Sequence, residues 1–338
     1  MKIQAQKSLA EGPILKTLIG LALPIVGSSF LGTIYSITDM AWIGLLGSRA
    51  VAGVGVGGMY VWLSQGIVSL ARMGGQVYVA QCFGRNEKKK AANYAMAAVQ
   101  MTILFALVFS AICLLFTDPL IDFFNLNDAE STDAARIYLK ITCGLILFSY
   151  LSQTLTGLYT AQGDSRTPFL ANLLGLVINM ILDPVLILGV GPFPRLEVAG
   201  AAIATVAAQM IVSGVMLVSA VRFSRQGSNV VFQTSLRSVK EKRFYRDICK
   251  MGIPTALQGM IYCMISMVLA AFTAIFGLAA IAVQRLGGQI ESVSWNVSDG
   301  FAASLNAFVG QNYGAGKMER VRKGCRYACI TVAIWGCW

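Results

Sequence analysis

Apolar segments of roughly 20 residues or more recur along this chain, near 14–38, 51–80, 91–117, 136–160, 168–190, 198–222, 251–276 and 281–309, and a further one begins at 325. About 20 such residues cross the hydrocarbon core as a helix. Inside lipid, only helices and closed barrels satisfy their own backbone. The chain is therefore expected to be an all-α polytopic membrane protein, with eight complete spans and a ninth cut short. Its charged share of 13% is about half the ~25% of a soluble domain. No cleavable leader is expected, because the first segment follows a short basic arm and continues past the length of a signal h-region.

The formal charge of +11 does not point to nucleic acid, because the basic residues fall in the turns between apolar segments. Their distribution reports topology instead. The N-terminus, 85–90, Arg166, 222–250 and 317–326 hold 21 of 27 Lys and Arg, while the alternate turns hold four: Arg49, Arg136, Lys140 and Arg195. The positive-inside rule then places the N-terminus and the basic loops in the cytoplasm of a cell (inner) membrane. The acidic stretch Asp118, Asp122, Asp128, Glu130, Asp133 falls on the opposite side. The eight Cys are scattered without CxxC spacing, and there is no His, so they read as packing residues.

The chain also repeats itself. At a constant offset of 230, Pro24 matches Pro254, Gly47 matches Gly277, Ala50 and Ala52 match Ala280 and Ala282, Gly57 and Gly58 match Gly287 and Gly288, and Gln81 and Gly84 match Gln311 and Gly314. Six spans precede the second copy, so the repeats are parallel, as in transporters built of two six-helix halves. We expect a first lobe over 1–230 and the start of a second over 231–338, comprising helices 7, 8 and part of 9. Completing the second lobe would take roughly 110 to 120 more residues, so the sequence is expected to be a fragment of a longer chain.

Within the fifth segment, GLVINMILDPVLILG (175–189) sets Asn179 and Asp183 one turn apart on a single helix face. A carboxylate at mid-membrane costs about 2.5 to 3.5 kcal/mol on insertion scales, so it is expected to face a cavity or a partner. Pro184 removes the hydrogen bond to the Met180 carbonyl and is expected to kink or open the helix there. Asp39, at the far end of the first helix, should lie at similar depth unless it is close enough to the surface to be solvated. Two approaching carboxylates repel, and a proton or bound cation relieves the pair. Asn179, Thr205 and the Ala201 carbonyl add neutral oxygens, which suits a hard cation such as Na⁺. The alternative for Asn179 and Thr205 is plain interhelical hydrogen bonding. Glu291 is read either as a contact for a cationic substrate or as the partner of Arg72 or Arg285. Tyr35, Trp62, Met260 and Tyr262 could line a pocket for flat hydrophobic cations, or simply pack.

VGQNYGAGKMERV (309–321), AQGDSRTPF with NMILDPVLI and VAGAAIAT (161–206), and LALPIVGSSF, ITDMAWIGLLG and AVAGVGVG near the start together resemble the multidrug and toxic compound extrusion (MATE) family. The resemblance spans the chain. It implies a twelve-helix antiporter of two six-helix lobes, which exports amphipathic, mostly cationic compounds in exchange for Na⁺ or H⁺. It implies an ion site at Asp39, Asn179, Asp183 and Thr205, with Tyr35 and Tyr138 in the same polar network and Pro24 as a bending point. No cofactor and no enzymatic activity are expected, and the protein is expected to work as a monomer. Two rivals are weighed. A lipid-linked oligosaccharide flippase of the same fold needs a cationic cavity, for which only Arg72 and Arg285 are at hand. An intramembrane enzyme lacks His, and Gly163-Asp164 falls in a turn.

Overall fold

The computed structural model describes residues 9–124, 126, 128–189, 194–225, 229–231, 233, 241–275 and 278–336. Among them are α1 (Ile14–Gly44), α2 (Ser48–Gly84), α3 (Lys88–Leu115), α4 (Thr117–Asp122), α5 (Ala129–Gly144), α6 (Leu147–Ala161), α7 (Arg166–Leu188), α8 (Glu197–Arg225), α9 (Lys242–Ile275), α10 (Leu278–Gly314) and α11 (Met318–Gly336). Six are long and apolar enough to cross a membrane, or seven if the bent pair α5 and α6 forms one span. By that measure α10 and α11 fall short. Glu291 and Asp299 interrupt the first, and the second opens on MERVRKGCR. Gly277 and the side chains of Ala280, Ala282 and Arg285 lie outside the described residues.

The repeat is visible in the helices. Adding 230 to the bounds of α2 gives those of α10, and adding it to Lys88 gives Met318, where α11 starts. The two matched helices cross through their matched glycines. A Cβ on Gly84 would strike the carbonyl of Gln311, and one on Gly314 would strike that of Gln81. Only hydrogen fits between backbones this close.

That end of the bundle is closed by the GQNYGAGK segment. Gln311 Nε2 donates to the Ala161 carbonyl at the end of α6 (2.8 Å), and its Oε1 accepts from the Leu9 amide (3.0 Å). Asn312 Nδ2 donates to the Leu9 carbonyl (3.2 Å), Lys317 to that of Ala10 (3.0 Å) and Arg320 to that of Gly12 (2.9 Å). Gln311→Ala would leave the Leu9 amide and the Ala161 carbonyl buried without partners, at about 1–3 kcal/mol each. A fall in melting temperature of the purified protein is expected, and no change would show that water replaces both bonds.

The expected fourth span is not one straight helix. α5 begins at Ala129, where Asp128 caps it by accepting from the Ser131 amide (3.1 Å), and it meets α6 at a 47° bend. Ser110 Oγ on α3 donates to the Gly144 carbonyl (2.9 Å), and the Phe148 amide turns to Leu145 instead. A side chain competing for the helix's own carbonyl breaks it here, without proline. α7 runs as one helix through Pro184 to Leu188 and stops at Gly189, in the left-handed region (φ 72°). One lost bond in the last turns is tolerated there. α1 likewise continues through Pro24.

Two arginines pair with the acidic stretch locally. Arg136 meets Asp118 (3.0 Å), Asp122 (3.1 Å) and Asp133 (3.6 Å), while Arg49 meets Glu130 (2.6 Å) and Asp128 (3.5 Å). These exposed pairs add little to stability.

Candidate functional site

Close helix packing brings the fifth- and sixth-segment residues together. A Cβ on Gly200 of α8 would meet the Leu186 carbonyl of α7, and one on Gly175 would meet Val212. The two helices therefore lie almost in backbone contact, with Asn179 and Asp183 on one and Ala201 and Thr205 on the other. α1 adds Tyr35 and Asp39, also one turn apart. α5 adds Tyr138, for which Gly57 of α2 leaves room: a Cβ there would stand 3.0 Å from the tyrosine ring.

Asn179 and Asp183 are fully buried and Asp39 is 8% exposed, so the alternative of a solvated Asp39 does not hold in the folded chain. Ala201 and Tyr138 are buried with them. Asn179 Nδ2 donates to Asp183 Oδ1 (3.0 Å). Beyond that bond, Asp39 Oδ1, Asp183 Oδ2 and Asn179 Oδ1 are buried with no hydrogen-bond partner among the described residues, and the buried Tyr35 Oη and Thr205 Oγ1 face each other. Asp183 is close enough to Asp39 for their charges to interact, and Tyr35 and Tyr138 interact with both. Among the described ion pairs, none neutralises either carboxylate. Two acids and three neutral oxygens thus converge in a dry place with acceptor capacity unfilled. Pro184 adds a Met180 carbonyl with no amide at its fourth neighbour to bind it. An oxygen-only donor set of this kind fits a hard monovalent cation or a proton.

A separate cleft of about 740 Å³ opens between α1, α2 and α10. Ser29, Thr33 and Ser36 line it from α1, Trp62 and Gln65 from α2, and Ser292 and Asn296 from α10. Asn296 Nδ2 donates to Thr33 Oγ1 (2.9 Å) across it. Of the expected pocket residues, only Trp62 lines this space. Met260 packs against Gly66 of α2, 3.0 Å from where a Cβ would stand. Tyr262 faces Trp295 with ring centroids 5.8 Å apart. Glu291 does not pair with Arg72: it accepts from Trp295 Nε1 (2.9 Å), one turn along its own helix. The charge facing Arg72 is Asp299. Sequence reasoning missed the polar stripe 29, 33, 36, although its spacing on an otherwise apolar helix was the signal for it.

The MatE family model matches residues 24–185 and 254–337. A "Probable multidrug resistance protein NorM" of Thermotoga maritima is 30% identical over 310 residues, 91% of this chain and 65% of that one. An "FAD transporter" of Shewanella oneidensis is 28% identical, over 93% and 69%. The "Multidrug export protein MepA" of Staphylococcus haemolyticus is 24% identical, over 96% and 70%. The chain thus spans about two thirds of the length of these relatives. An outward-facing structure of a multidrug resistance MATE family transporter superposes with a TM-score of 0.86 at 22% identity, over 97% of this chain and 71% of that one, a likeness of fold.

Proposed function

Since the chain belongs to the MatE family, we propose that it acts as an ion-coupled antiporter, exporting amphipathic, mostly cationic organic compounds in exchange for Na⁺ or H⁺. The observation that carries this reading is the set of unpartnered buried oxygens around Asp39 and Asp183. Asp39, Asn179, Asp183 and Thr205 hold the coupling ion, with the Ala201 carbonyl, Tyr35 and Tyr138 as the surrounding polar shell. The ion relieves the repulsion between the two carboxylates and so favours the packing of α1 against α7 and α8. A ligand shifts a two-state equilibrium only through its differential affinity for the states. The ion does so if inward-open and outward-open arrangements hold the two acids at different separations.

The cleft bounded by α1, α2 and α10 is the substrate chamber, with Trp62 as a stacking surface and the Ser, Thr, Gln and Asn side chains as adaptable hydrogen-bonding groups. Glu291, Met260 and Tyr262 stand outside its lining and meet substrates entering or leaving. The basic N-terminal side faces the cytoplasm, by the distribution of Lys and Arg. The test is efflux of a fluorescent organic cation from proteoliposomes under an imposed Na⁺ gradient or an imposed pH gradient. One of the two should drive efflux, and efflux indifferent to both would contradict the reading.

A further inference from the structure

At the basic end of the bundle, a short non-helical segment ahead of α1 is tied to α10 and α11. The Leu9 amide and carbonyl and the carbonyls of Ala10 and Gly12 are held by the side chains of Gln311, Asn312, Lys317 and Arg320. Leu9 is 3% exposed and packs with Leu18 and Leu21 of α1 and Ala307 and Phe308 of α10. Arg320 is itself seated: its Nε donates to Asn312 Oδ1 (3.1 Å), and its guanidinium lies 5.8 Å over the centre of the Phe308 ring. Every one of these ties has a side chain on one side, so a rotamer change releases it without unwinding a helix. Gly12 supplies a pivot. It holds φ 78° with open space around its Cβ position, and Pro13 stands at the N-cap of α1.

The fastening belongs to one repeat only. At the offset of 230, Gln311 answers to Gln81, but Asn312, Lys317 and Arg320 answer to Cys82, Glu87 and Lys90. There Lys90 turns back on Glu87 (2.9 Å). The common scaffold therefore does not require these donors. The cleft lies away from them: Gln65 and Asn296 of its lining precede Gly84 and Gly314 by 19 and 18 residues, roughly 27 Å of helix at 1.5 Å per residue.

We propose that residues 9–12 are a latch, which holds the basic end of the bundle shut while the cleft is open and is broken and remade in each transport cycle. This rests on the reading of the chain as an exporter with inward-open and outward-open arrangements. Bonds made only in the shut arrangement bias the equilibrium toward it, and water takes over their donors when that end opens.

The test joins Glu11→Cys to Met318→Cys, two exposed positions beside the tied residues, with a short bis-methanethiosulfonate in proteoliposomes. The background is Cys329→Ser, because Cys329 is exposed. Joining should cut efflux at least tenfold, and a reductant should restore it, while single-cysteine variants given the same reagent keep their rate. Undiminished efflux by the fully joined protein would make the segment a fixed brace and overturn the proposal. A second measurement needs no transport. Spin labels at Lys89→Cys and Arg322→Cys, one on each basic turn, report by their separation whether that end is open in the purified protein. Lys317→Ala with Arg320→Ala should raise the ratio of long to short separations about tenfold, and an unchanged distribution would also overturn the latch. Should that variant aggregate, the joined cysteines still decide. A double-cysteine protein without efflux before joining counts against the transport reading, and the spin-label distances then decide the latch.

Discussion

Replacing Asp39 or Asp183 by Asn is expected to bring gradient-driven efflux down to the rate measured with no gradient, while each variant remains folded in the membrane. Asn keeps the shape and removes the charge. The two carboxylates interact with each other, and among the described residues neither has a cationic side chain in contact. The charge that an ion would neutralise is therefore absent from either variant. Removing one of two like buried charges also relieves repulsion, so the melting temperature should be equal to or above that of wild type. A variant that both unfolds and fails to transport would instead mark these acids as structural. The pairing of lost transport with retained stability is what distinguishes the two roles.

The second large effect is expected at the crossing of α2 and α10. Gly84→Val and Gly314→Val each force a side chain into a backbone carbonyl, of Gln311 in one case and Gln81 in the other. A backbone cannot rotate aside as a side chain can, so the cost should reach or exceed the roughly 1–3 kcal/mol typical of overpacking. The crossing should open, with a clear fall in melting temperature. Gly55→Ala on the same helix is the control. Nothing stands within 4 Å of its Cβ position, and exchanging glycine for alanine in a helix should stabilise it by up to about 1 kcal/mol. Equal melting temperatures for Gly84→Val and wild type would show that the crossing is looser than described.

Much of the architecture was legible because lipid imposes few solutions. Span length, the offset of 230 and the polar residues Asp39, Asn179, Asp183 and Thr205 follow from apolar runs and their interruptions, and the folded chain brings those four residues into one buried cluster. The break between Gly144 and Leu147 was not legible, because its cause is Ser110, 34 residues upstream, taking the Gly144 carbonyl. Nor was the fastening of Leu9, Ala10 and Gly12 onto Gln311, Asn312, Lys317 and Arg320. It joins positions some 300 residues apart, and on the N-terminal side it uses a backbone amide and backbone carbonyls, which carry no residue signature. Glu291 does not pair with Arg72: a local Trp295 four residues on donates to it, leaving Asp299 opposite Arg72, and the side chain of Arg285 lies outside the described residues.

Whether the Asp39 and Asp183 cluster holds the coupling ion is tested most directly by counting ions bound per chain. Equilibrium binding of radiolabelled Na⁺ to the purified protein, paired with proton uptake measured by a pH-sensitive dye in weak buffer, covers both candidate ions. Wild type should bind about one ion per chain, released when substrate is added, and Asp39→Asn and Asp183→Asn should each lose it. Undiminished, substrate-sensitive ion binding in both variants would place the coupling site elsewhere.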